Sequence, residues 1–413
     1  MVEYDKFVLE NGLRVLVHKD ESTPIVAFNV LYDVGARDED PNRTGFAHLF
    51  EHLMFGGSVN IPEYDRPLQQ VGGENNAFTS NDITNYYLTL PLSNVETAFW
   101  LEADRMLSLE FSPKSLEVQR SVVIEEFKQR YLNQPYGDVW LLLRPLAFKE
   151  HPYQWPTIGK EIAHIEDATM EDVKAFFFKH YGPQNAVVAI SGNVETEQMK
   201  SLAEKWFGDI DKREKYNRDL PVEPKQTEAR TLTVKRDVPY HAIYKTWHMD
   251  DRRSSQFYVC DLISDILSRG KSSRLYLKLV KERELFSEIN AYISGDVDKG
   301  LFIISGKVSE GVEVELAHQA IDEVIKELIE EGVAEEELQK VKNKIESTKI
   351  FSDMNILNKA MGLAYFELLG DANMLNEEVG KYADITSNQM TETAKEIFVD
   401  TNSSTLFYLS ERI

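Results

Sequence analysis

Gly45-Phe46-Ala47-His48-Leu49-Phe50-Glu51-His52-Leu53-Met54-Phe55 is the stretch on which the reading of this 413-residue chain turns. Phe46, Leu49, Phe50 and Leu53 recur at i, i+3, i+4 and i+7, the spacing of a helix with one face in a core. Asn42 or Thr44 is available to cap its start, and Gly56-Gly57 to end it. His48 and His52 stand one turn apart on a face turned away from the apolar stripe, with Glu51 at its edge. Histidines that merely packed a core helix would share the stripe. These two are instead spaced so that both imidazoles reach one metal ion.

A hydrolytic zinc site needs a third protein ligand, an open position for water and a nearby base. The third ligand is usually remote in sequence. The candidates lie in Gln119-Arg120-Ser121-Val122-Val123-Ile124-Glu125-Glu126-Phe127, in a second helix whose start is marked by Ser112-Pro113. No Gly-x-Ser-x-Gly elbow or phosphate loop competes for the chemistry.

His48-x-x-Glu51-His52 followed by Val122-Val123-Ile124-Glu125-Glu126 resembles the pitrilysin/insulinase family of inverted zinc metallopeptidases. Gly72-Gly73-Glu74-Asn75-Asn76-Ala77-Phe78-Thr79-Ser80, continued by Thr84-Asn85-Tyr86-Tyr87, is similar to the family's substrate-binding edge strand. His180-Tyr181-Gly182-Pro183-Gln184-Asn185-Ala186 looks like its domain-closing turn, and Gly270-Lys271-Ser272-Ser273-Arg274-Leu275 like the matching helix ending in the second domain. The resemblance covers nearly the whole chain, and the length suits the short branch similar to mitochondrial processing peptidase.

The resemblance implies that His48, His52 and Glu126 bind one Zn2+ per chain, with Glu125 the second choice, and that Glu51 is the catalytic base. Gln119 takes the place, two turns before Glu126, where the family often has another Glu; it keeps hydrogen-bonding capacity but no charge. Asn76, Ala77, Phe78 and Thr79 would hold an extended peptide by backbone pairing, with little reading of side chains. The implied activity is zinc-dependent endopeptidase cleavage of unfolded peptides in a closed chamber; a weakly catalytic partner subunit is the alternative. A two-domain chain of this kind resembles half of a clamshell, so a homodimer or a heterodimer with a paralogous chain is expected. One departure concerns an Arg and a Tyr that the family places seven residues apart in the second domain. Here the stretch is Val280-Lys281-Glu282-Arg283-Glu284-Leu285-Phe286-Ser287, with Lys281 in place of Arg and no Tyr at that spacing. Either Tyr292 or Arg283 substitutes, or a partner chain supplies the pair.

The length is too great for one ordinary core, and two domains are expected: 1–212 with the metal motif, a polar linker over 213–228, and 229–413 without it. A net charge of −23 makes nucleic acid and anionic membranes poor partners. It serves either solubility or the attraction of basic peptides. The single cysteine, Cys260, rules out an internal disulfide framework and reads as a small core residue. No apolar run is long enough to span a bilayer. The chain enters a strand pattern directly from Met1-Val2-Glu3, which places it in the cytoplasm, or in the periplasm if a signal has been trimmed.

Asn11-Gly12 between Phe7-Val8-Leu9 and Leu13–Val17 predicts a hairpin, and Pro24–Tyr32 a buried strand. Asn76–Ser80 and Tyr86–Leu90 predict a second hairpin; residues 92–180 read as mainly helical, closed by a strand at Ala186–Ile190. The second half repeats the first: Ala47–Leu53 aligns with Cys260–Ile266, Gly57 with Gly270, and Asn185–Ile190 with Ser403–Leu409. His48, Glu51 and His52 become Asp261, Ser264 and Asp265. The fold class is therefore α+β, a duplicated unit of a sheet with helices packed on one face. His151, His164 and His180 lack ligand spacing and read as surface or packing residues; the seven-residue separation of His241 and His248 is a weak ligand signal, and structural roles are preferred for both.

Overall fold

The computed structural model describes residues 1–214 and 216–412. The first sheet has six strands: β1 (Asp5–Val8), β2 (Arg14–Lys19), β3 (Ile25–Tyr32), β4 (Glu74–Thr79), β5 (Thr84–Pro91) and β6 (Ala186–Gly192). Their order is β1-β2-β6-β3-β5-β4, with β2 and β6 parallel and every other pair antiparallel. The β1–β2 hairpin turns where Asn11-Gly12 predicts it, with Gly12 at φ 91°. The second sheet has β7 (Arg230–Arg236), β8 (Ala242–His248), β9 (Phe286–Ile293), β10 (Leu301–Val308) and β11 (Ser403–Ser410). Its order, β7-β11-β8-β10-β9, reproduces β2-β6-β3-β5-β4 strand for strand, again with one parallel pair at the same end. The duplication read from sequence is thus a duplication of topology. Among the described residues no helix is long and apolar enough to cross a membrane.

The linear domain boundaries do not describe how the chain packs. One compact unit comprises Met1–Gln129, Trp155–Pro221 and Ile350–Glu377; the other comprises Arg130–Gln154, Val222–Lys349 and Glu378–Ile413. The cause is visible in β3, where every residue from Val26 to Tyr32 is buried, so both faces need a cover. Phe28 meets Phe99 of the Val95–Leu107 helix, with ring centroids 4.9 Å apart. The opposite face carries Leu31, in register through Val187 with Arg14, and Arg14 meets Glu367 of the Ile356–Leu369 helix. That helix comes from late in the chain. In the second unit, Val139 and Leu143 of an early helix, Val139–Ala147, pack on Ala242, Leu406 and Tyr408, while Ile243 and Trp247 face the larger core behind. Each half of the sequence therefore sends one helix to the other half's sheet, and the one-face layer becomes a sheet covered on both faces.

The expected linker holds no helix or strand among its described residues, but it is not a loose tether. Arg218 pairs with Asp38 at 2.7 Å and Asp33 at 2.8 Å in the first unit. Glu223 accepts the backbone N–H groups of Lys149, Glu150 and His151 in the second.

Candidate metal centre

The ligand helix spans Phe46–Leu53 and has no side-chain N-cap. Neither Asn42 nor Thr44 takes that role: Asn42 turns toward Asp40, and the Thr44 hydroxyl accepts the Lys160 N–H at 2.8 Å. The start is instead Gly45 at φ 89°, where a Cβ would lie 2.6 Å from the Ile158 carbonyl oxygen. The N–H groups of the first turn, which have no partner within the helix, are taken by a carboxylate from outside it. Glu39 accepts from Gly45 at 2.9 Å, Ala47 at 2.8 Å and the Trp155 indole at 3.0 Å. Burial pushes the Glu39 carboxyl up to about 8 against the pull of those three donors. The helix stops at Leu53, ahead of Gly56-Gly57. Its apolar stripe is buried as expected, and Phe50 stacks on Tyr181 with centroids 4.9 Å apart.

The opposite face carries the candidate ligands. His48 Nε2 and His52 Nε2 each lie 3.6 Å from Glu126 Oε2, and one donor atom from each residue falls within 4.8 Å of the others. Tetrahedral zinc with bonds of about 2.1 Å keeps its donors about 3.4 Å apart. Two imidazole nitrogens and one carboxylate at these separations therefore fit a single zinc and leave a position open. The side chains remain 13%, 24% and 18% exposed, so that position faces accessible space. Glu126 is delivered by the Pro113–Phe127 helix, which starts as predicted: Ser112 caps it by accepting the Ser115 N–H, with Pro113 at its first position. Glu125 points elsewhere and pairs with Lys128 at 2.8 Å. Gln119 lies two turns back on the same helix, half-buried, with no side-chain hydrogen bond among the described residues.

Glu51 is held from the sheet. The Thr79 hydroxyl donates to Glu51 Oε2 at 2.6 Å. Thr79 ends β4, which pairs only with β5 and leaves its outer edge open among the described strands. Along β4, Asn75, Ala77 and Thr79 are half-buried while Glu74, Asn76 and Phe78 are exposed, the alternation of an edge strand lying against a helix. Asn76 Oδ1 accepts the Ala77 N–H at 2.8 Å. Behind the site, Arg105 is buried under Tyr86 and Tyr64, 4.3 and 4.7 Å from the ring centroids, and pairs with Glu102. Glu39, Trp155 and Arg105 carry no local sequence signal: Glu39 folds back onto the helix start from the preceding loop, and Trp155 and Arg105 act from more distant parts of the chain.

In the second unit Arg283 is engaged by Glu323, at 2.5 Å, and Lys281 is exposed. Tyr292 sits on the edge strand β9, partly exposed, its hydroxyl pushed up by burial. The other histidines are packing residues. His180 is fully buried, which pushes it down to about 3; the His241 Nδ1 accepts the Ser410 N–H at 2.8 Å; and the His248 Nε2 lies 3.0 Å from the Ala147 carbonyl oxygen.

Two family models match the chain: Insulinase (Peptidase family M16) over residues 14–159, and Peptidase M16 inactive domain over residues 167–345. The chain belongs to the insulinase family, M16. The first match contains His48, Glu51, His52 and Glu126, and the second the copy in which Asp261, Ser264 and Asp265 replace the motif. Among M16 relatives, the chain is 29% identical over 412 residues to a zinc protease PqqE of Helicobacter pylori, covering 98% of itself and 92% of that relative. It is 23% identical to an uncharacterized zinc protease, YmxG, of Bacillus subtilis over 96% of each chain. The crystal structure of a protease from Helicobacter pylori superposes with a TM-score of 0.93 at 28% identity, over 99% of this chain and all of that one. Pitrilysin shares the fold, with a TM-score of 0.77 at 17% identity, and this chain covers 45% of its length.

Proposed function

We propose that this chain is a zinc-dependent endopeptidase that cleaves unfolded peptides, with His48, His52 and Glu126 as the metal ligands and Glu51 as the base. One observation carries the reading: three ligand atoms converge within 4.8 Å while Glu51, on the same helical turn, is tied to the strand whose edge is open to a peptide. A zinc ion bound there supplies a Lewis acid that polarises the scissile carbonyl and acidifies the attacking water. Glu51 takes the proton from that water and delivers it to the leaving amine, so it works as a base and then as an acid. Asn76, Ala77 and Phe78 on β4 hold the peptide extended by backbone pairing, which tolerates many side-chain sequences.

A second chain of the same fold completes the chamber. Support comes from length: this chain covers 45% of pitrilysin, so pitrilysin has room for about twice this fold in one chain. The partner is another copy or a paralogue.

The test is metal content together with cleavage of an unstructured peptide, with and without chelator. One zinc per chain and chelator-sensitive cleavage are expected. Zinc-loaded protein that cuts only when mixed with a paralogous chain selects the heterodimer. Protein without zinc, or cleavage indifferent to chelator, overturns the assignment.

A further inference from the structure

The hydrogen bond from Thr79 to Glu51 joins two parts of the site that the family resemblance treats separately. In the sequence reading Thr79 belongs with the residues that hold the substrate backbone. In the structure its side chain does something else: the hydroxyl is spent on the base, 2.6 Å from Oε2. A carboxylate on a long side chain at a half-exposed helical position has rotamer freedom to lose before it can act. Thr79 removes part of that freedom, and it does so from a stiff mount. Threonine is restricted at χ1. The turn that follows Thr79 is pinned on both sides: Ser80 N–H donates to the Ile83 carbonyl at 2.8 Å, and the Ser80 and Asn81 carbonyls accept the Ala36 and Arg37 N–H groups at 3.1 and 2.9 Å.

We infer that Thr79 is a positioning residue for catalysis: its hydroxyl fixes the Glu51 carboxylate to the strand on which the peptide aligns, so that base and scissile carbonyl share one frame. The inference rests on the proposed peptidase function. A peptide paired with β4 is placed along the strand by the ladder; Glu51, bonded to the same strand, is placed along it by Thr79. Displacement of a reacting group by about 1 Å costs on the order of 100-fold in rate. Loss of the tether therefore lowers turnover rather than binding.

The experiment compares Thr79→Val, which keeps shape and removes the hydroxyl, with Thr79→Ser, which keeps the hydroxyl and removes the methyl. Each is measured beside the wild-type protein for zinc content, melting temperature and steady-state cleavage of an unstructured peptide. Thr79→Val is expected to lose about 10- to 100-fold in kcat with KM changed less than about 3-fold and zinc retained; Thr79→Ser is expected to recover to within about 3-fold of wild type. Unchanged kcat in Thr79→Val overturns the inference. So does an equal loss in Thr79→Ser, which would assign the effect to the methyl group, or a loss confined to KM, which would assign Thr79 to substrate holding alone. If Thr79→Val does not fold, Thr79→Ser with kcat reduced as far as Thr79→Ala overturns it. Wild-type protein that cuts neither alone nor with a paralogous chain brings down the peptidase reading and this inference together, whereas an active wild type with an indifferent Thr79→Val brings down the inference only.

Discussion

The Phe46–Leu53 helix and the Ser255–Ser268 helix occupy the same place in the two sheets, each between the strand buried on both faces and the strand at the free edge. Both keep an apolar face, and Gly57 and Gly270 after them share a positive φ, 104° and 80°. What differs is how each helix satisfies its polar groups. The second helix meets its polar groups with its own residues and one neighbouring helix. Ser254 caps it, Asp261 accepts from Tyr382 at 2.6 Å, the Ser264 hydroxyl donates to the Asp261 carbonyl at 2.8 Å, and Asp265 faces Arg269. The first helix is shorter, borrows its cap from Glu39, and turns two imidazoles toward a carboxylate on another helix. One copy turns its polar side chains to partners in its own unit; the other gathers two imidazoles and a carboxylate into a set that fits a cation.

The largest way to break this contrast is to give the first helix the second helix's residues. His48→Asp with His52→Asp is expected to abolish zinc binding and to lower cleavage more than about 1,000-fold, measured by metal analysis and peptide turnover. The reciprocal change, Asp261→His with Asp265→His, should not add a second zinc. The helix that follows in the order of Pro113–Phe127 is Glu335–Ser352, and among the described residues no carboxylate of it is paired with Asp265, whose ion-pair partner is Arg269. A stoichiometry of two zinc ions per chain in that variant would show that two imidazoles suffice without the third ligand.

Next in size is the choice of third ligand. Glu126→Gln is expected to weaken zinc binding by more than about 100-fold, whereas Glu125→Gln, at an exposed position paired with Lys128, should change it less than about 3-fold. Equal effects would mean that the carboxylate facing the imidazoles is not the ligand. Glu51→Gln separates base from ligand: turnover falls by about 100- to 10,000-fold while zinc stays bound.

How much of this was legible depends on how local the cause is. The spacing of His48 and His52, the Ser112-Pro113 start and the Asn11-Gly12 turn are short-range signals, and each element forms where its signal lies. Glu126 required the resemblance, because nothing in the spacing distinguishes it from Glu125. The expected cap of the helix fails although Asn42 and Thr44 are good capping types nearby, because Glu39, six residues before Gly45, reaches the same N–H groups only once the intervening loop folds back. The exchanged helices were illegible for a similar reason. The apolar residues of Val139–Ala147 and Ile356–Leu369 mark a buried face without saying which sheet they cover. The bond from Thr79 to Glu51 was not legible, since strand alternation fixes a face but not the atom it meets.

The cap itself gives a smaller effect. Glu39→Ala leaves buried N–H groups of Gly45, Ala47 and Trp155 without their acceptor, and a loss of about 2–4 kcal/mol in unfolding free energy is expected. The pH dependence has a definite sign. Folding raises the Glu39 carboxyl from 4.5 to about 8, so the folded state holds a proton that the unfolded chain releases in that window. Its contribution is fully present below the lower value and is lost as pH rises through the upper one. Glu39→Gln should flatten that slope in denaturant titrations across the window.

The smallest effect belongs to the second helix and sharpens the comparison from the other side. Asp265 is buried, and burial raises its carboxyl; Arg269 pulls it down, Asp261 pushes it up, and Lys344 pulls it down again. The net direction is upward, so here too the folded state keeps a proton longer than the unfolded chain, and stability declines as pH climbs from the ordinary carboxylate range through the raised value. Asp265→Asn removes the titration and keeps the shape. At neutral pH it is expected to be neutral or slightly stabilising, by less than about 1 kcal/mol, with peptide cleavage and zinc content unchanged. The corresponding change in the first helix, His52→Asn, is expected to weaken zinc binding, because the proposed role of that imidazole is to hold the metal and not the fold. A loss of zinc or of turnover in Asp265→Asn would mean that the second copy takes part in the site and that the division of labour between the two helices is drawn in the wrong place.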